Sequence, residues 1–101
     1  MTRLTVVMGV TSCGKSTVGA ALASAVGGTY IEGDDLHPQA NIDKMSSGTP
    51  LTDDDRWPWL RTLGRTMGAE SGVVVASCSS LKRAYRDCIS ESAEEPVMFV
   101  Y

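Results

Sequence analysis

Long apolar runs, a surplus of basic residues and paired cysteines are all missing from this sequence. The apolar stretch near the N-terminus, residues 4–8, is too short for a membrane span or a signal peptide. A net charge of −3 gives no global positive field to attract nucleic acid. The three cysteines are odd in number and lack C-x-x-C spacing, which argues against a zinc or disulfide redox motif. These absences predict a cytoplasmic protein with reduced thiols and with neither a nucleic-acid nor a membrane partner.

Short strands and helices alternate along the chain. Apolar, β-branched segments predict strands at 4–8, 29–31, 73–77 and 97–101, and helical patterns separate them at 15–26, 38–48, 55–68 and 81–90. Asp55 is the preferred N-cap of the third helix, which places Pro58 in a first turn where its missing N–H does no harm. The alternation predicts an α/β domain with a parallel sheet, as a single domain over residues 1–101.

A phosphate-binding P-loop follows the first predicted strand. Every fixed position of G-x-x-x-x-G-K-[ST] is matched by Gly9-Val10-Thr11-Ser12-Cys13-Gly14-Lys15-Ser16, with Thr17 next in the chain. The backbone N–H groups of such a loop bind phosphates together with the N-terminus of the helix that follows. Lys15 is predicted to neutralise the β- and γ-phosphates of ATP, and the Ser16 hydroxyl to bind Mg²⁺.

Two carboxylates follow the second predicted strand. The third predicted strand offers none, whereas Glu32 and Asp34 lie just beyond the second. Separated by one residue in an extended segment, both can face the phosphate site. One can hold water on Mg²⁺ while the other accepts a proton from an attacking hydroxyl. An acidic turn or a helix cap is the alternative for both, and Asp35 is predicted to be solvated.

Five further blocks resemble the gluconokinase family. They are GDDLHP at 33–38, NIDKM at 41–45, GTPL at 48–51, DDDRWPWL at 53–60 and CSSLKRAYRD at 78–87. With the P-loop they follow the order of that family. The resemblance implies the three-layer α/β/α P-loop kinase fold shared with shikimate kinase and nucleoside monophosphate kinases. It also implies ATP- and Mg²⁺-dependent phosphorylation of D-gluconate to 6-phospho-D-gluconate, and it suggests a homodimer.

The resemblance also implies roles for single residues. Asp34 matches the carboxylate that contacts the acceptor hydroxyl in similar kinases, and Glu32 matches the acid on the magnesium side. Arg56 matches an arginine that binds the carboxylate of the acceptor, a task suited to a planar guanidinium. The substrate-binding segment is expected at about 35–70. Further substrate candidates, with packing or a solvated surface as the alternative, are His37, Lys44, Lys82 and Arg83.

The sequence departs from the family pattern in three places. Ser12 replaces a glycine of the loop. Segment 61–72 looks about one helical turn shorter and carries Gly64 and Gly68, each of which weakens a helix interior by about 1 kcal/mol. The chain ends in its fourth predicted strand, so the lid and the last strand of the family are expected to be lacking. Phosphoryl transfer needs positioned cations and excluded water, so one alternative to an active gluconokinase is a truncated, catalytically impaired P-loop fragment. The other alternative is a kinase for a related small hydroxy acid.

Overall fold

The computed structural model describes residues 2–8, 15–78 and 82–100, and for residues 15–18 it describes the backbone alone. Within these ranges four strands form one sheet: β1 (Leu4–Met8), β2 (Thr29–Glu32), β3 (Val74–Cys78) and β4 (Val97–Val100). The strand order is β2-β3-β1-β4. All three strand pairs are parallel, so the predicted α/β class with a parallel sheet is confirmed.

Four α-helices and one short 3₁₀ helix connect these strands in the described ranges. They are α1 (Lys15–Ala25), the 3₁₀ helix (Gly33–Leu36), α2 (Gln39–Ser46), α3 (Asp53–Ala69) and α4 (Arg83–Ala93). Helix α1 lies on one face of the sheet, and α3 and α4 pack on the other, which gives the three layers that were expected. None of the described helices is long and apolar enough to cross a membrane.

The larger core lies between the sheet and the layer formed by α3 and α4. Alternate residues of the strands point into it, and Leu4, Val6 and Val74 have no exposed surface. The helices contribute the fully buried side chains of Leu60, Leu63, Met67 and Ile89. Because each buried side chain of this size stabilises the fold by roughly 1.5–3 kcal/mol, this layer holds α3 and α4 firmly on the sheet.

Gly64 and Gly68 let α3 and α4 approach each other closely. A Cβ at Gly64 would lie 2.5 Å from the carbonyl oxygen of Ile89, and a Cβ at Gly68 would lie 2.7 Å from that of Ala93. Both distances are shorter than van der Waals contact, and backbone atoms in a packed helix cannot move aside easily. The two glycines therefore weaken α3 as an isolated helix but are required for its packing against α4.

The start of α3 differs from the prediction. Thr52 is the N-cap, and its hydroxyl accepts a hydrogen bond from the Asp55 N–H. The Asp55 carboxylate accepts one in return from the Thr52 N–H, so the two residues form a capping box. The prediction of Asp55 as N-cap was wrong, because the helix begins at Asp53. Pro58 consequently lies in the second turn.

Candidate active site

The predicted phosphate site lies only partly within the described ranges. Gly9, Val10, Thr11, Ser12, Cys13 and Gly14 are outside the described residues. For Lys15, Ser16 and Thr17 the structure describes a helical backbone and no side-chain positions. Lys15 is the first residue of α1, so the motif joins a strand to the start of a helix, the context that a P-loop requires.

Glu32 ends β2 and belongs to a polar group on the face of the sheet that α1 covers. Its Oε1 accepts a hydrogen bond from Ser77 Oγ at 2.8 Å, and its Oε2 accepts one from the Tyr30 hydroxyl at 3.0 Å. Ser77 has no exposed surface and lies opposite Glu32 in the register of β2 and β3. Tyr30 packs against the small core beneath α1. The Glu32 carboxylate is thus oriented on the same side of the sheet as the helix that begins with Lys15.

Asp34 lies in the 3₁₀ helix that follows β2 and does not continue the strand. The expectation that Glu32 and Asp34 project alike from an extended segment was wrong, because the backbone turns between them. A Cβ at Gly33 would lie 2.1 Å from the carbonyl oxygen of Ser77, so this turn requires a glycine. Asp34 is partly buried, whereas Asp35 is exposed as predicted.

His37 is held next to this turn by Trp59. The two rings stack with their centroids 4.0 Å apart, and the Trp59 indole N–H donates to the carbonyl oxygen of Gly33 at 2.8 Å. Burial lowers the pKa of His37, the Asp34 carboxylate partly opposes this, and the Arg56 guanidinium lowers the pKa further. Asp34 and Arg56 therefore both lie within electrostatic reach of the same imidazole.

Two side chains of α2 connect it to the start of α3. Asn41 is almost fully buried, and its Nδ2 lies 3.1 Å from His37 Nδ1 and 2.8 Å from the carbonyl oxygen of Asp55. Lys44 Nζ lies 2.7 Å from Asp55 Oδ2. The hydrogen bond from Lys44, together with that from the Thr52 N–H, lowers the pKa of Asp55 to about 2. Lys44 thus has a carboxylate partner within the protein, and its contact with substrate stays a prediction.

Arg56 and Lys82 meet around Asp53 and Tyr85, and these four residues are named the cation cluster here. Arg56 Nη1 donates to the Tyr85 hydroxyl at 3.0 Å, and that hydroxyl donates to Asp53 Oδ1. Lys82 Nζ donates to Asp53 Oδ2 at 2.8 Å. Both cations also lie over the Tyr85 ring, 5.6 and 5.4 Å from its centroid. The cluster connects the first turn of α3 to the beginning of α4.

The charges in the cation cluster stabilise one another. Hydrogen bonds from Lys82 and, to a smaller extent, from Tyr85 lower the pKa of Asp53. The hydrogen bond to Asp53 in turn raises the pKa of Lys82. Asp53 and Lys82 therefore both stay ionised around neutral pH. Two cations and one carboxylate leave the cluster with a positive surplus, which suits a carboxylate or phosphate ligand.

Arg83 stands apart from the cation cluster. Its side chain is 86% exposed, and its Nε lies 4.0 Å from Asp87 one turn further along α4. An exposed pair at this distance contributes little to stability. The structure thus gives Lys82 a defined position and leaves its neighbour Arg83 on the surface.

Among the described residues there is also no group of three or more His, Cys, Asp and Glu side chains that could hold a metal ion.

No protein-family model matches the chain, but individual proteins do. A probable gluconokinase of Schizosaccharomyces pombe is 50% identical over 95 residues, which cover 88% of this chain and 49% of that protein. The gluconokinase of Gluconobacter oxydans is 47% identical over 103 residues, which cover 98% of this chain and 57% of that protein. A crystal structure of a gluconokinase from Sinorhizobium meliloti 1021 has a TM-score of 0.86 and 56% identity, over 95% of this chain and 54% of that one.

The chain is a homologue of gluconokinases. The family resemblance inferred from the sequence blocks is confirmed, and the structural match confirms the P-loop kinase fold. The chain spans about half the length of the curated gluconokinases that it matches.

Several residues that build the candidate site were not predicted as site residues from the sequence, and three of them lie in or next to the cation cluster and His37. Tyr85 and Asp53 join the two cations, and Asn41 contacts His37. All three lie within the blocks that resemble gluconokinases, so the sequence identified their segments. Their individual roles depend on contacts between residues up to 32 positions apart, which no local pattern reveals.

Proposed function

We propose that this chain acts in the ATP-dependent phosphorylation of D-gluconate to 6-phospho-D-gluconate. The observation that carries the proposal is the cation cluster, in which Tyr85 and Asp53 hold Arg56 and Lys82. These cations can bind an anion, and Asp34, which acts on the same imidazole as Arg56, is a carboxylate that can accept a proton. Gluconate needs both, because it has a carboxylate at one end and the hydroxyl to be phosphorylated at the other.

The cation cluster would bind the carboxylate of gluconate. Arg56 can donate two parallel N–H bonds to a carboxylate, and Tyr85 orients its guanidinium through Nη1. Asp53 keeps Lys82 close enough to add a second positive charge. His37 and Lys44 would contact hydroxyl groups further along the acceptor. Because Arg83 is highly exposed, we expect a smaller contribution from it than from Lys82.

Asp34 would act as the general base. It would accept the proton of the 6-hydroxyl as that oxygen attacks the γ-phosphorus, and the bond from this phosphorus to the bridging oxygen of the departing ADP would break. Lys15 would neutralise charge on the β- and γ-phosphates. The nucleotide would be bound by the P-loop and the residue after it, namely Gly9, Val10, Thr11, Ser12, Cys13, Gly14, Lys15, Ser16 and Thr17.

Glu32 fits the magnesium-side role. Mg²⁺ usually keeps several waters and binds one or two carboxylates together with phosphate oxygens, so a single oriented carboxylate is sufficient. Ser77 and Tyr30 hold Glu32 in such an orientation. Ser16 would supply a hydroxyl ligand. When bound, Mg²⁺ would neutralise the phosphate oxygens during the transfer.

We also propose a cytoplasmic location and leave the homodimer as a prediction. Cys88 is a free thiol, and burial raises its pKa, which makes it less reactive. Free thiols of this kind suit a reducing compartment. Analytical ultracentrifugation of the full chain would decide between monomer and dimer.

A coupled ADP-release assay with gluconate, shikimate and glycerate tests the proposed function. We expect turnover with gluconate, and we expect Asp34→Asn to lower kcat by about 10²–10⁴-fold while Mg·ATP binding is retained. The matched control is Asp35→Asn, which removes the neighbouring exposed carboxylate and should leave kcat unchanged. Turnover on another acid but not on gluconate would favour a related hydroxy-acid kinase, and ATP binding without any turnover would favour the catalytically impaired fragment.

A further inference from the structure

The side-chain amide of Asn41 has one orientation that is compatible with its contacts. Its Nδ2 lies 2.8 Å from the backbone carbonyl oxygen of Asp55, and a carbonyl oxygen can only accept a hydrogen bond. The amide nitrogen, rather than the amide oxygen, must therefore face Asp55. Asn41 is only 2% exposed, so water cannot readily replace this partner.

That orientation decides which nitrogen of His37 carries the proton. The same Nδ2 lies 3.1 Å from His37 Nδ1, and an amide nitrogen offers two hydrogens and no acceptor lone pair. Nδ1 must therefore accept, so it carries no proton. The neutral imidazole then has its hydrogen on Nε2. Protonating Nδ1 would place one N–H against another, so the contact with Asn41 also opposes the charged form of His37.

The other groups around the ring come from two elements. The 3₁₀ helix supplies Asp34, whose carboxylate favours the imidazolium, and α3 supplies Arg56, whose charge opposes it. Helix α3 also supplies Trp59, which covers one face of the ring. With burial added, the balance lowers the pKa of His37. The surroundings and the Asn41 contact therefore favour the same neutral form.

We propose that Asn41 is a positioning residue that keeps His37 neutral with its proton on Nε2, so that His37 contacts the acceptor as a hydrogen-bond donor. The acceptor group would be a hydroxyl or carboxylate oxygen of a polyhydroxy acid. The identity of this acceptor rests on the proposed function, whereas the tautomer rests on the contacts of Asn41 alone.

A neutral His37 can donate a hydrogen bond through Nε2 without placing a positive charge next to the acceptor. Asn41 thereby affects the binding of the acceptor without touching the reacting atoms.

Nitrogen NMR of the full chain tests the tautomer directly. The sequence has one histidine, so ¹⁵N-labelled imidazole gives a single pair of ring signals. Near pH 7 we expect Nδ1 at the position of an unprotonated nitrogen and Nε2 at that of a protonated one. On acidification both signals should begin to shift only at a pH below about 6.5, the ordinary pKa of histidine. A proton on Nδ1 at neutral pH, or a titration at or above about 6.5, would overturn the proposal.

Asn41→Asp provides the second measurement. A carboxylate oxygen facing Nδ1 favours a proton there and favours the imidazolium, so the pKa of His37 should rise by about one unit or more. Ser46→Asp adds the same charge at an exposed position at the end of α2 and should leave the His37 titration unchanged. Equal shifts in the two variants would mean that general charge, and not the contact, sets the pKa. If Asn41→Asp does not fold, the wild-type spectrum decides the tautomer by itself.

Gluconate titrations separate this proposal from the proposed function. If His37 donates to the acceptor, added gluconate should move the Nε2 signal more than the Nδ1 signal. A shift confined to Nδ1 would overturn the donor role. Absence of phosphoryl transfer to gluconate would refute the proposed function and leave the tautomer result standing.

Discussion

The described residues supply very different numbers of buried side chains to the two faces of the sheet. The face towards α3 and α4 carries a continuous core to which β1, β3 and both helices contribute buried side chains. On the face towards α1, the buried apolar residues among those described are Val7, Ala23 and Val75. Strand β4 shows the same asymmetry, because Phe99 packs against the larger core while Met98 on the opposite face is 52% exposed.

This asymmetry separates the two halves of the proposed reaction. The cation cluster and Trp59, which orients His37, lie on the α3 and α4 side and have a rigid core behind them. Glu32 and the start of α1 lie on the opposite side, next to the smaller core of described residues. The proposed acceptor site is thus positioned by the packing of the protein itself.

The largest effect should come from truncating neighbouring valines on opposite faces of β3. Val74 faces the larger core and Val75 faces α1, and both are almost fully buried. We expect Val74→Ala to lower the free energy of unfolding by about 2–3 kcal/mol. For Val75→Ala we expect a loss of about 1–2 kcal/mol, because the smaller core beneath α1 can close around the space left by the methyl groups. Urea unfolding of both variants measures the difference. Equal losses would mean that the two faces are equally well packed.

A somewhat smaller effect is expected from Gly64→Ala. Helix propensity alone predicts stabilisation by about 1 kcal/mol. The contact with the carbonyl oxygen of Ile89 predicts the opposite, a loss of about 1–3 kcal/mol, because α4 would have to move away. The control is Thr62→Ala at an exposed position of the same helix, which should change stability by no more than about 0.5 kcal/mol. A stabilised Gly64→Ala protein would show that the two helices separate readily.

The smallest effect concerns the acid stability of the α2–α3 junction. The pKa of Asp55 is lowered to about 2, chiefly by Lys44, so its contribution to stability is present above the unfolded value near 3.9 and is lost as the pH falls towards 2. Asp55→Asn should make stability less dependent on pH between about 4 and 2. Its exposed neighbour supplies the control, since Asp54→Asn should keep the wild-type profile. Melting temperatures recorded across this range distinguish the two.

The sequence was sufficient for the element order and for the segments of the site. Strands such as β1 are short, apolar and β-branched, so their type and approximate bounds follow from composition. The cap of α3 was harder, because Thr52 and the three aspartates after it are all good caps and only the backbone decides where the helix begins. Glycines such as Gly64 look like helix breakers until the neighbouring helix is in place.

The contacts within the site could not be predicted in the same way. Asparagine is usually a surface residue, so the sequence gives no sign that Asn41 is buried. Its burial arises because α2 packs against the start of α3. Tyr85 is an ordinary core aromatic in the helical pattern, and its hydroxyl gains a role only because Asp53 and Arg56 lie across from it. Polar contacts of this kind depend on tertiary geometry to within a few tenths of an ångström, which a single sequence does not contain.

The position of β1 in the sheet has a consequence for the synthesis of the protein. During synthesis β1 has to wait for its partners, because Leu4 pairs with Val74 in β3 and with Val97 in β4. At about 5–20 residues per second, translation reaches Val74 roughly 4–14 s after Leu4. Strand β2, made earlier, pairs with β3 and offers β1 no partner. The apolar segment Leu4–Met8 therefore stays without its strand partners in the nascent chain until β3 and β4 have been translated.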